Sequence, residues 1–113
     1  MSDAPVDRAV LQELEAGTDA EFVRELIATF LVEAPPMIAE MKSAKASGDA
    51  EAFRRNAHSL KSNSLTFGAT ALGSMARALE HGGLASAADG SALAALEAEY
   101  ARVAAALSEI DHG

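Results

Sequence analysis

Residues 18–34, TDAEFVRELIATFLVEA, carry the clearest periodic pattern in the chain. Apolar residues recur in it at steps of three and four, and they are Phe22, Val23, Leu26, Ile27, Phe30 and Leu31. This spacing predicts an amphipathic α-helix that buries one face. Thr18 or Asp19, placed just before the pattern, is suited to cap the start of this helix.

Similar patterns on either side of this stretch predict further helices. The pair Pro35-Pro36 interrupts the first pattern, but MIAEMKSAKA (37–46) resumes it, so the pair predicts either a kink or a stop followed by a restart. The other expected helices cover residues 5–15, from Asp49 to about Leu65, from Gly68 to about His81, and 91–110, with 81–91 (HGGLASAADGS) as the longest loop. No segment alternates with the period of a strand. We therefore expect an all-α fold, an up-and-down antiparallel four-helix bundle with a short additional N-terminal helix, forming one domain over residues 1–113.

The composition argues against nucleic-acid-binding, membrane-spanning and secreted classes of protein. A net charge of −8 argues against a nucleic-acid binder, because phosphate contacts need clustered Lys and Arg. The absence of cysteine fits a reducing compartment, and no apolar run approaches the ~20 residues that span a bilayer. The opening MSDAPVDRAV lacks the basic flank and apolar core of a signal peptide, and both ends resemble natural termini. We expect a cytoplasmic monomer that does not bind membranes.

One histidine stands out by its position on a predicted helix. At ~100° per residue, Phe53, Leu60 and Phe67 form an apolar stripe on the side of the helix away from His58. Because this stripe must face the core, we expect His58 to face solvent. The residues within about 60° of His58, or at the edge of that sector, are Arg54, Arg55, Lys61, Ser62 and Leu65.

The charges around His58 are biased toward one sign. All 17 acidic residues lie outside positions 52–79, whereas four cations, Arg54, Arg55, Lys61 and Arg77, lie inside. We therefore expect an imidazole without negative neighbours. A neutral imidazole, with an unperturbed pKa of ~6.5, is a good nucleophile at neutral pH, and nearby cations would stabilise phosphate oxygens placed on it. The small side chains of Ser59 and Ser62 would let a partner approach. These residues predict a phosphate-accepting histidine presented to another protein.

The segments AHSLKSNSLTFGA (57–69) and LGSMARALE (72–80) resemble the histidine-phosphotransfer domain of bacterial phosphorelays. Positions that match the family pattern are His58, Leu60, Lys61, Ser62, Ser64, Gly68, Ala69, Leu79 and Glu80. ELIATFLVEAPPMIAEM (25–41) and SGDAEAFRRNAHSLK (47–61) fit the two helices that precede and carry the histidine. Two positions depart from the pattern, since Ser62 replaces the usual glycine and Asn63 replaces a serine.

The resemblance implies a mechanism. The outer ring nitrogen of His58 would take a phosphoryl group from a receiver-domain aspartate and pass it to a second receiver aspartate. Lys61 would contact the phosphate oxygens, with Arg54 and Arg55 assisting or contacting the receiver, as Ser59, Ser62 and Leu65 would also do. The donor and acceptor would be receiver domains of a hybrid histidine kinase and of a response regulator. The chain would hold no cofactor, since magnesium belongs to the receiver, and it would not be an autokinase, having no phosphate-binding loop.

Two other interpretations stay open from the residues. A non-catalytic helical adaptor would bind an acidic partner through the His58 face and would tolerate His58→Gln. A phosphohistidine phosphatase or small hydrolase would use His58 as a base. That enzyme would need a second catalytic group converging on the histidine from another helix, and the sequence names none.

Overall fold

The computed structural model describes residues 5–112, and the side chains of residues 5–110. Within this range the chain is all-helical and contains no strand. Across residues 5–112, five helices follow one another, namely α1 (Arg8–Gly17), α2 (Ala20–Ser47), α3 (Ala50–Thr66), α4 (Thr70–Ser86) and α5 (Ser91–His112). The expectation of one domain over 1–113 also includes residues 1–4 and 113, which lie outside the described part.

Aspartates begin the first three helices. Asp7 Oδ1 accepts a hydrogen bond from the Ala9 amide, Asp19 Oδ1 accepts one from the Phe22 amide, and Asp49 Oδ1 accepts one from the Ala52 amide. Each side chain satisfies an N–H that has no partner within its own helix. These caps set where α2 and α3 start, and so fix the register of the residues that follow.

Helix α2 runs without a break through Pro35 and Pro36, so of the two predicted alternatives, a kink or a stop followed by a restart, the second is wrong. Proline removes an amide donor, but the core-facing positions on both sides of the pair remain buried. Those positions are Phe30, Ala34, Ile38 and Met41, and they form one apolar stripe. Continuous burial of this stripe stabilises a single helix across the two prolines.

The loop predicted over 81–91 is also shorter than expected. Helix α4 extends to Ser86, and only Gly83 within it departs from helical backbone angles, with φ of 65° and ψ of −158°. Only residues 87–90 separate α4 from α5.

The helices from α2 to α5 contact one another in a ring. Helix α2 packs on α3, α3 on α4, α4 on α5, and α5 on α2, while α1 packs against α2. Their inward-facing residues form one apolar core that includes Ile27, Phe53, Leu60, Leu72 and Leu96. None of the helices in the described range is long and apolar enough to cross a membrane.

Candidate functional site

The predicted orientation of helix α3 agrees with the structure. Phe53 and Leu60 are fully buried and Phe67 is 3% exposed. On the opposite side of α3, the side chain of His58 is 58% exposed. Burial of one stripe therefore presents the imidazole to solvent, as the helical periodicity requires.

Glu80, on the neighbouring helix α4, reaches this imidazole. Its Oε2 lies 2.7 Å from His58 Nδ1, and its Oε1 lies 3.1 Å from Lys61 Nζ. The Glu80 side chain is only 16% exposed, so its carboxylate sits between α3 and α4 beneath the two basic groups. The expectation of an imidazole without negative neighbours is wrong, because a carboxylate distant in sequence arrives from another helix.

The hydrogen bond from His58 to Glu80 selects one tautomer of the ring. An ionised carboxylate can only accept hydrogen bonds, so Nδ1 must carry a proton and donate it to Oε2. In the neutral ring, Nε2 then holds the free lone pair. No residue of the described part hydrogen-bonds to Nε2. The arrangement leaves a nucleophilic nitrogen at the exposed edge of the ring.

The pKa of Glu80 reflects this environment. Desolvation by burial raises the pKa, but the hydrogen bond from His58 and the 3.1 Å ion pair with Lys61 outweigh it and hold the pKa of Glu80 below its usual value of 4.5. The carboxylate is therefore ionised at neutral pH, as the tautomer argument requires.

This lowered pKa predicts how stability depends on pH. A carboxyl group whose pKa is lower in the folded state stabilises the fold above its unfolded pKa, and the contribution disappears as pH falls through the folded pKa. We expect wild type to be more stable than Glu80→Gln at about pH 6, and the difference to vanish as pH falls below 4.5 toward about pH 3. Urea unfolding of both proteins at several pH values between about 3 and 6 measures this difference in unfolding free energy. A difference that persists unchanged to the lowest pH would contradict the assignment of the ion pair.

The residues predicted to contact the partner lie at or near the surface of α3. Arg54, Ser62 and Leu65 are exposed, Ser59 is half-buried, and Arg55 is exposed with Nη1 3.8 Å from Glu51 Oε1. The structure brings Lys61 and His58 together on one carboxylate, whereas neither Arg54 nor Arg55 makes a side-chain hydrogen bond with the imidazole of His58.

The residues predicted to form the structural part of the motif support the two helices of the site. Leu60, Ser64 and Ala69 are buried, and Ser64 Oγ donates a hydrogen bond of 2.6 Å to the Leu60 carbonyl. Gly68 has φ of 72° and its carbonyl accepts the Asp7 amide at 2.9 Å, which ties the segment before α1 to the turn between α3 and α4.

Sequence reasoning missed one packing residue beside the site. Gly73 on α4 lies against Leu65, and a Cβ added to Gly73 would be 2.7 Å from Leu65 Cδ2. The missing side chain lets α4 lie close to α3, which is the approach that Glu80 needs.

Comparison with known proteins identifies the family. The family model described as Hpt domain matches residues 25–106. The chain belongs to the Hpt domain family. A search of curated proteins finds no match. Among solved structures, the Hpt domain is similar to the crystal structure of histidine-containing phosphotransfer protein B (HptB) from Pseudomonas aeruginosa PAO1, at 25% identity and a TM-score of 0.86, covering 98% of this chain and 97% of that one.

Family membership and the structural match support the predicted function. Hpt domains are phosphotransfer intermediates of phosphorelays and not kinases, and this Hpt domain functions in histidine phosphotransfer.

Proposed function

We propose that His58 is the phosphorylated residue and that Nε2 is the accepting atom. The observation that carries this proposal is the 2.7 Å hydrogen bond between Nδ1 and Glu80 Oε2, which directs the lone pair of an exposed ring to Nε2. His81, the other histidine whose side chain is described, has no such orienting carboxylate bond within the described range.

The proposed reaction moves one phosphoryl group between two proteins. The Nε2 lone pair attacks the phosphorus of a receiver aspartyl phosphate, a P–N bond forms, and the P–O bond breaks with its electron pair returning to the aspartate. A second receiver aspartate later attacks the same phosphorus, and the P–N electron pair returns to Nε2. We place the magnesium on the receiver, because Mg²⁺ prefers several oxygen ligands. In the described part of this chain, no three His, Asp or Glu side chains converge to hold a metal.

Lys61 is proposed to stabilise the phosphoryl oxygens. Its ammonium group is held by Glu80 Oε1, on the same carboxylate that binds His58, so the cation is already placed next to the imidazole. A cation in this position would offset charge on the transferred group, and such preorganised contacts contribute strongly to transfer rates.

Removal of this cation should slow the reaction. We expect Lys61→Ala to reduce the rate of phosphoryl uptake from a phosphorylated receiver about tenfold or more. Single-turnover transfer of a radiolabel measures the rate. Lys42→Ala is a matched control, because Lys42 forms its own 3.1 Å ion pair with Glu97, which joins α2 to α5. Equal rates for the two variants would argue against a phosphate contact by Lys61.

The receiver is proposed to dock on the exposed part of α3. Leu65 is 50% exposed and lies two helical turns beyond His58 on the same side of the helix, with Ser62 between them. An exposed apolar side chain beside a small residue suits a close contact. Ser59, Arg54 and Arg55 would complete the surface, and the two arginines would favour an acidic partner.

A change at Leu65 should separate docking from chemistry. We expect Leu65→Glu to lower the rate of transfer from a receiver about tenfold, since it places a charge in the contact, while phosphorylation by the small donor phosphoramidate stays unchanged. Val32→Glu on α2 is the control, because Val32 is a 73% exposed apolar residue on another helix. A parallel loss with both donors would show that the substitution damages the site itself.

The partners and setting complete the proposal. The donor and acceptor are proposed to be receiver domains of a hybrid histidine kinase and of a response regulator, and the chain acts as a cytoplasmic monomer without an ATP site or autokinase activity. We further propose that α2 to α5 form an up-and-down antiparallel four-helix bundle, as one domain, with α1 as the additional helix. The ring of contacts among these four helices supports this topology.

A two-step relay assay tests the proposed function. A panel of phosphorylated receiver domains is incubated with the protein, the labelled protein is isolated, and a second unlabelled receiver is added. We expect label to enter this chain and then to leave it for the second receiver. Binding to receivers without any uptake of label would contradict the proposal and would favour the adaptor.

A further inference from the structure

The Glu80 carboxylate contacts both basic groups of the site. Each oxygen of this carboxylate faces one basic group, since Oε2 is 2.7 Å from His58 Nδ1 and Oε1 is 3.1 Å from Lys61 Nζ. The Glu80 side chain is mostly buried, which strengthens its electrostatic effect on the ring compared with an exposed carboxylate.

The charge of the ring changes when Nε2 gains a phosphoryl group. Nε2 gives its lone pair to phosphorus while Nδ1 still holds its proton, so the ring becomes a phosphoimidazolium with one positive charge. This ring can then lose the Nδ1 proton and become neutral. The two forms differ in how easily the P–N bond breaks. From the protonated form, neutral imidazole leaves with the electron pair, whereas from the deprotonated form the poor leaving group imidazolate would have to depart.

We propose that Glu80 keeps Nδ1 of phosphorylated His58 protonated at and above neutral pH, and so holds the phosphoryl group in its transferable form. This inference rests on the proposed phosphorylation of His58 at Nε2. The proton remains on Nδ1 through uptake, storage and hand-off, so no external acid is needed for either step. Glu80 is thus a positioning residue that acts through the ring and does not touch the phosphoryl group.

Other charged groups near the ring oppose or support this effect. The remaining charged or titratable side chains on neighbouring turns of α3 and α4 are Arg54, Arg55, Lys61, Arg77 and His81. Nearby cations disfavour a positively charged ring. Lys61, however, is itself paired with Glu80, and the negative charge of the phosphoryl group offsets the remaining cations. Only the Glu80 carboxylate makes a hydrogen bond to Nδ1 among the described residues. A hydrogen-bonded opposite charge favours the charged form by an amount that corresponds to about one to three pH units.

The experiment is a ³¹P NMR titration of protein phosphorylated with phosphoramidate, so that no receiver is needed. The phosphohistidine resonance shifts as Nδ1 loses its proton, and its midpoint reports the proton directly. We expect the midpoint of Glu80→Gln to lie about one pH unit or more below that of wild type. At a pH above the midpoints of both proteins, we expect spontaneous loss of phosphate to be about tenfold slower in the variant than in wild type. Glutamine can still accept the Nδ1–H bond, so the substitution removes the charge while keeping the shape.

Two controls keep the outcome interpretable. Glu97→Gln removes another paired carboxylate from α5 and should titrate like wild type. Phosphorylated wild type in denaturing urea keeps the full chain but separates His58 from Glu80, and its midpoint should also lie below that of the folded protein, which tests the role of Glu80 even if Glu80→Gln misfolds. Equal midpoints for folded wild type, Glu80→Gln and urea-unfolded wild type would overturn the role of Glu80 and leave the phosphotransfer function standing. A wild-type protein that gains no phosphohistidine signal would overturn both.

Discussion

Replacing His58 by glutamine should abolish phosphoryl uptake and leave the fold intact. The side chain is 58% exposed and lies on the face of α3 opposite the buried stripe, and among the described residues its side-chain hydrogen bond is to Glu80, so the helical core does not depend on it. Glutamine has no nucleophilic ring nitrogen, so no phosphoryl group would be bound for Lys61 to stabilise. Radiolabel from a phosphorylated receiver, stable in base and labile in acid, should therefore be absent from the variant.

The control for this experiment is another exposed histidine. His81 follows Glu80 on α4 and is exposed, so His81→Gln should take up label as wild type does. Circular dichroism should show the same helical content in all three proteins. Label that persists in His58→Gln would mean that another residue accepts the phosphoryl group and that the site is misassigned.

Gly68→Ala should destabilise the protein more than any other glycine-to-alanine change in a turn. Gly68 has a left-handed backbone with φ of 72°, and an added Cβ would lie 2.9 Å from both the Asp7 carbonyl oxygen and the Val10 Cβ. The substitution therefore combines backbone strain of about 1–2 kcal/mol with an overpacking cost of about 1–3 kcal/mol. The steric part should loosen the contact between the segment before α1 and the α3–α4 turn.

Gly48 allows the two contributions to be separated. It has a similar φ of 77°, but nothing lies within 4 Å of an added Cβ, so Gly48→Ala should cost only the strain of about 1–2 kcal/mol. Urea unfolding of wild type and both variants gives the difference in unfolding free energy. Equal costs at the two positions would show that the close approach of Asp7 to Gly68 does not occur in solution.

The sequence predicted the helices and the outward orientation of His58 because both follow from local periodicity. Phe53 and Leu60 recur seven residues apart, and burying them fixes the face on which His58 must lie. The loop before α5 was predicted too long, since Gly82 and Gly83 look like a break although helical structure resumes after Gly83. Pro35 and Pro36 were also overestimated as breakers, because burial on both sides outweighs two missing amide donors.

Glu80 could not be placed at the site by counting charges along the chain. It is 22 residues from His58 in sequence, and only the turn at residues 67–69 brings α4 back along α3. A signal was available, because residues at similar distances before and after a tight interhelical turn come to lie side by side. Positions 58 and 80 meet this condition around Gly68. The family pattern also contains Glu80, but its physical role becomes clear only from the hydrogen bond to Nδ1.

The convergence of Glu80 on His58 also bears on the hydrolase alternative. The sequence suggested no second group near the histidine, and the structure supplies one on α4. A histidine oriented by a carboxylate suits both a base and a nucleophile. Membership of the Hpt domain family favours the nucleophile, since these domains are phosphotransfer intermediates.

The most direct test of phosphotransfer through His58 is to locate the phosphoryl group after transfer from a phosphorylated receiver domain. The labelled protein is digested under alkaline conditions, which preserve phosphohistidine, and the modified residue and ring nitrogen are assigned by mass spectrometry and NMR. We expect a single phosphoryl group on Nε2 of His58. A phosphoryl group on Nδ1, or on any residue other than His58, would contradict it.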